Sequence, residues 1–187
     1  MIMKTKKIAW AVTGAGEKIE KTYETMVDIQ EKYGDKVEIR VFVSNAGKQV
    51  LKFYRLFKKI KENFEHVSFE VNSNSPFLAG DVQLHKYEFL LVAPCTSNTV
   101  AKLASRIGDT MITNAVIMGQ KSQVPVYIMP VDFKEGVTIT KIPNGNDLVL
   151  ELTKEDIDCV RKISKMKNTF VFEDTDEIYN IFEKNFD

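Results

Sequence analysis

Cysteine is scarce in this chain, which has only Cys95 and Cys159 among 187 residues. A disulfide framework needs more, and an iron-sulfur cluster or structural zinc normally takes four ligands, so no metal site is expected. Net charge is also missing. The 26 basic and 26 acidic residues cancel, leaving no overall field to hold nucleic acid or an anionic membrane. No run approaches the roughly 18 apolar residues of a membrane span. The N-terminal Lys4, Lys6 and Lys7 pass straight into a short apolar stretch, without the long core or small-residue cleavage site of a secretion signal. A cytoplasmic, unprocessed protein is expected, and the length suits one domain, 1–187, with a substantial core.

What is present is alternation. Ile8 to Val12 is short, continuously apolar and closed by Thr13-Gly14-Ala15-Gly16, as a strand buried on both faces reads. Ile19, Tyr23, Met26 and Val27 follow at helical spacing, with a stop at Lys32 to Asp35. Val37 to Val43 is a second strand, ending at Ser44-Asn45-Ala46-Gly47. Residues 49–63 predict one helix, Val67 to Val71 a third strand and Glu88 to Ala93 a fourth. Helices are expected over 98–107 and 109–120, and a fifth strand over 124–129. The fold class predicted is α/β, a three-layer doubly wound parallel sheet. Beyond Pro130, residues 137–141 and 148–152 flank a Pro-Asn-Gly turn like the arms of an appended β-hairpin. Thr153 caps a helix to about Met166, 169–172 is a short strand, and a terminal helix starts at Asp174 or Thr175.

In an open parallel sheet the ligand crevice lies outside the carboxyl ends of the strands, so the loops after the first, second and fourth strands concentrate the interest. In the first, glycines admit close backbone approach, and the next helix offers free N–H groups to an anion. The same fragment also serves as a plain tight turn. A dinucleotide fingerprint wants a small residue three positions beyond Gly16 and an acid at the end of the second strand; Ile19 and Ser44 stand there instead. A mononucleotide suits this loop better. In the third, Pro94-Cys95-Thr96-Ser97-Asn98-Thr99 crowds hydroxyl and amide side chains onto a helix start, where they could bond a flavin or simply cap the helix.

That segment, with Val100 to Ala104 and Gly108-Asp109-Thr110, resembles the Pro-Ala-Ser-Ala-Asn-Thr motif of the homo-oligomeric flavin-containing cysteine decarboxylase superfamily. The stretch from Pro125 to Asp132, the hairpin and the Asp156 helix resemble more narrowly the archaeoflavoproteins and dihydromethanopterin reductases. The resemblance implies FMN held between neighbouring subunits of a trimer-based assembly, its phosphate near Gly14, Ala15, Gly16 and Ser44 and its ring beside Pro94 to Thr99. Thr13 and Ala46 complete the expected cofactor-binding set of Thr13, Gly14, Ala15, Gly16, Ser44, Ala46, Pro94, Cys95, Thr96, Ser97, Asn98 and Thr99.

Two departures bear on activity. Decarboxylating members carry a histidine where an ungapped count puts Gly80, and a Pro-x-Met-Asn clamp where this chain has Pro130-Val131-Asp132-Phe133. The expected function is therefore a redox flavoprotein, with ferredoxin as a conceivable donor and a dihydropterin as a conceivable acceptor. A decarboxylase of a cysteinyl substrate and a non-catalytic FMN binder are the alternatives. No catalytic acid or base is identifiable. Cys95 reads as a space-filling side chain. The basic run Arg55, Lys58, Lys59 and Lys61 reads either as a docking patch for an acidic carrier or as a solvated helix face.

Overall fold

Alternation along the first strand decides the layering. Ile8, Trp10 and Val12 point into one core and Ala9 and Ala11 into a second, all fully buried. The computed structural model describes residues 5–187, so Lys4 lies outside the described residues. In chain order the elements are β1 (Lys6–Val12), α1 (Ile19–Tyr33), β2 (Val37–Val43), α2 (Asn45–Phe53), α3 (Phe57–Asn63), β3 (His66–Phe69), α4 (Leu78–Gln83), β4 (Leu90–Cys95), α5 (Ser97–Ala104) and α6 (Met111–Ser122). They continue as β5 (Val126–Pro130), β6 (Gly136–Lys141), β7 (Asp147–Leu152), α7 (Lys154–Ser164), β8 (Thr169–Val171) and α8 (Glu177–Phe186).

Six strands form one parallel sheet in the order β3-β2-β1-β4-β5-β8. Helices α1, α2, α3 and α8 pack on one face around Trp10, Phe64, Phe89 and Phe182; α4, α5, α6 and α7 cover the other. This is the three-layer α/β fold that the sequence implies. The order turns at β1, where β2 lies on one side and β4 on the other, so the loops after β1 and β4 part at the switch point where such sheets bind ligands. Trp10 ties the two strands inside the core, its Nε1 donating to the Ala93 carbonyl at 2.7 Å. Strands β6 and β7 form a separate antiparallel hairpin whose Val137, Ile139 and Val149 are exposed. No helix of the described residues is long and apolar enough to cross a membrane.

The helix expected over 49–63 is two helices. Ser44 caps the first, its Oγ accepting the Gly47 amide at 2.9 Å, so α2 begins four residues earlier than its apolar pattern suggests. It ends at Phe53, and Arg55 turns left-handed with φ 58°, so that Leu56 and Ile60 reach the core from a new direction. Strand β4 likewise runs on through Pro94 and Cys95, because the flavin-like motif begins inside the sheet. The helix expected from Asp109 starts at Met111, where Thr110 and Thr113 form a reciprocal cap. The terminal helix starts at Glu177.

Candidate cofactor site

Three helices begin at the carboxyl edge of the sheet, and their first turns face one cavity of about 920 Å³. Helix α2 brings Asn45 and Ala46, α5 brings Asn98 and Thr99, and α6 brings Thr110 and Ile112. Each N-terminus presents unpaired backbone N–H groups and the positive end of a dipole. Such a volume lies at the upper end of small-molecule sites.

The β1 loop and the β4 loop are stitched together. The Thr13 hydroxyl donates to the Pro94 carbonyl at 2.8 Å and accepts the Thr96 amide at 3.0 Å. The β1 and β2 loops touch through glycine: a Cβ on Gly14 would lie 2.7 Å from the Ala46 Cβ, and one on Gly47 2.6 Å from the Val12 carbonyl oxygen. Both positions demand the absence of a side chain for packing reasons. Around this corner the donors converge. The N–H groups of Gly14, Ala15, Gly16 and Ala46 find no acceptor among the described residues. The Ser44 oxygen accepts the Gly47 amide, which leaves its own hydrogen free to donate into the cavity. A dianion such as a phosphate fits amides, one hydroxyl and a helix start without needing a lysine.

Further along the wall, the hydroxyls of Thr96 and Thr99 lie 3.0 Å apart, and the Thr96 oxygen also accepts the Thr99 amide. The pair shares one hydrogen internally, so the other can meet a ligand. Asn98 is exposed and lines the same wall. Lys102 is the cation of the cavity and is held by Asp109, at 3.0 and 2.8 Å from its two oxygens. That ion pair draws the Asp109 carboxyl below its ordinary range.

Of the expected set, Thr13, Gly14, Ser44, Ala46, Thr96, Asn98 and Thr99 line this cavity together. Ala15, Gly16, Pro94, Cys95 and Ser97 are not on its wall. Gly16 backs onto the Tyr54 ring, whose Oη would lie 2.6 Å from an added Cβ. Pro94 serves through its carbonyl. Cys95 is fully buried and burial pushes its thiol pKa up, so it fills space as the sequence reading expects.

Sequence reasoning missed Glu70. It follows the last residue of β3, and its two carboxylate oxygens accept the first amides of two helices: Asn45 N–H at 2.9 Å and Met111 N–H at 2.7 Å. An acid directly after a strand, at the edge where ligands collect, was the available signal. Its negative charge occupies the first amide of α2, while Gly14, Ser44 and Ala46 line the cavity beside it. Gly80 lies in α4, and a Cβ there would collide with the Phe77 ring.

Residues 2–168 match the family model described as Flavoprotein. The chain belongs to the flavoprotein family. It is 37% identical over 96% of its length to an uncharacterized protein of Methanocaldococcus jannaschii, covering 95% of that protein. It is also 35% identical to a dihydromethanopterin reductase (acceptor) of the same organism, over 75% of this chain, and spans 59% of the length of that reductase. Among solved structures, Burkholderia xenovorans DmrB in complex with FMN, described as a cubic protein cage for redox transfer, superposes with a TM-score of 0.80 at 26% identity. The alignment covers 96% of this chain and 94% of DmrB.

Proposed function

We propose that this flavoprotein binds FMN in the cavity at the sheet switch point and works as an electron-transferring oxidoreductase. The single observation that carries the reading is the convergence of the β1, β2 and β4 loops on one cavity, with Gly14, Ser44 and Ala46 and further hydroxyl and amide side chains on its wall. FMN supplies the redox chemistry when bound. The chain's part is to hold and orient it. The Gly14 and Ala46 amides and the Ser44 hydroxyl, all on the cavity wall, hold the phosphate, and the α2 dipole favours its charge. Asn98 and the Thr96–Thr99 hydroxyl pair bond the polar edges of the ligand, the two threonines being held by their own mutual hydrogen bond and cap. The Cys95 thiol stays protonated behind the wall and takes no part.

The donor in this reading is a low-potential electron carrier such as ferredoxin, and the acceptor is a dihydropterin, supported by the named reductase relative. The reading includes a homo-oligomer in which a neighbour closes the open side of the cavity, supported by the cage described for DmrB and by the exposed apolar side chains of the β6–β7 hairpin. Decarboxylation of a cysteinyl substrate is disfavoured because Gly80 carries no imidazole and its position is covered by Phe77.

The test is anaerobic reduction of the FMN-loaded protein with reduced ferredoxin, NADH or NADPH, followed by addition of a dihydropterin. Bleaching by ferredoxin and recovery of colour with the pterin are the expected results. Release of carbon dioxide from a cysteinyl peptide would replace this reading with the decarboxylase one.

A further inference from the structure

The corner where α2 meets α3 carries charge that the rest of the molecule does not neutralise. Lys48, Lys52, Arg55, Lys58, Lys59 and Lys61 form no ion pair among the described residues, in a protein whose total charge is zero. Three of these ammonium groups are held on aromatic rings. Phe57 and Phe69 pack with ring centres 5.2 Å apart; Lys48 sits 5.3 Å from the Phe69 centre, and Lys52 and Lys61 sit 5.6 and 5.7 Å from that of Phe57. Cation–π contact fixes each charge over a ring at little entropic cost when a partner arrives. Beside them Phe53 is 55% exposed, stacked edge-on against Tyr54. Burial raises the pKa values of Tyr54 and Tyr23, and the Glu20 and Glu62 carboxylates beside them raise them further.

The position of this plate relative to the cavity gives it a function. Phe69 is the last residue of β3 and is followed directly by Glu70 in the cavity wall. Helix α2 starts in that wall and ends at the plate after 9 residues, a span of roughly 13 Å at about 1.5 Å per residue. Tyr54 closes the other side, its ring against Gly16 of the first turn. A molecule seated on the plate would stand one helix length or less from anything held in the cavity.

We propose that the Phe57–Phe69 plate with its lysines is the docking surface for an acidic one-electron carrier protein, which delivers electrons across α2 to the cavity. The inference rests on the FMN reading above and names the partner surface for it. Two carriers are each oxidised by one electron for every flavin reduced by two, with protons supplied by water. An acidic protein fits because a fixed set of unpaired cations around one exposed ring gives charge steering and a small apolar centre, the combination expected of brief electron-transfer encounters with small interfaces.

The experiment compares the FMN-loaded protein with its Lys52→Glu/Lys61→Glu variant. Reduction by an acidic plant-type [2Fe–2S] ferredoxin is followed across a range of salt, alongside photochemical reduction, which needs no docking. The wild type is expected to slow steeply with added salt. The variant is expected to be slower with ferredoxin at low salt, on the order of tenfold, with a flattened salt dependence and an unchanged photochemical rate. A salt-independent wild-type rate, an unimpaired variant, or a variant of altered assembly mass would each overturn the docking surface. Failure to bind FMN or to bleach in the light would instead sink the FMN reading.

Discussion

The hydroxyl of Thr13 accepts the amide of Thr96 at 3.0 Å, joining the turn after β1 to the start of α5 across 83 residues of sequence. The same hydroxyl donates to the Pro94 carbonyl, so one buried oxygen sets the spacing of two cavity walls. Thr13→Val keeps the shape, leaves the Thr96 amide unpaired and leaves the Pro94 carbonyl only the backbone amide of residue 13, at 3.4 Å. A loss of about 1–3 kcal/mol in unfolding free energy is expected, with weaker FMN binding, measured by urea denaturation and flavin titration.

Glu70 is expected to matter more for the site than its position just after a short edge strand suggests. Replacing it by alanine strips the acceptor from the first amides of α2 and α6 and should cost about 2–3 kcal/mol, since hydrogen bonds to charged groups are the stronger kind. Glu70→Gln keeps one acceptor and should lose about half as much. Thermal melts of both variants check the order.

Cys95 and Cys159 should separate chemically. Burial raises the Cys95 thiol pKa and shuts the sulfur away from disulfide reagents, whereas Cys159 is only partly buried. One fast-reacting thiol in the native protein and two after unfolding are expected, with Cys95→Ala retaining FMN. Loss of FMN in that variant, or fast labelling of both thiols, would give Cys95 a role the structure does not.

Much of this was legible in the sequence because buried parallel strands and helix caps leave local marks. Ile8 to Val12 reads as a strand buried on both faces, and Thr153 marks the start of the helix it caps. Thr13, Gly14, Ser44 and Asn98 could be chosen because they follow strands at the carboxyl edge of the sheet, where ligands collect, and the structure brings them to one cavity. Glu70 escaped because its worth depends on two helix starts, 25 residues before it and 41 after, coming to the same place. The break at Arg55 escaped for a related reason: Leu51, Leu56 and Ile60 keep a nearly helical rhythm while the chain turns between them. Local pattern reports which faces are buried, and long-range pairing reports where they meet.

The most direct measurement is titration of FMN into the flavin-free protein, read by flavin fluorescence and calorimetry, for the wild type and for Ser44→Ala and Asn98→Ala. One FMN per chain is expected, with affinity reduced several-fold or more by each substitution, because the two residues stand in the walls of the same cavity. A protein that takes up no FMN, or one whose affinity is indifferent to both changes, would contradict the account.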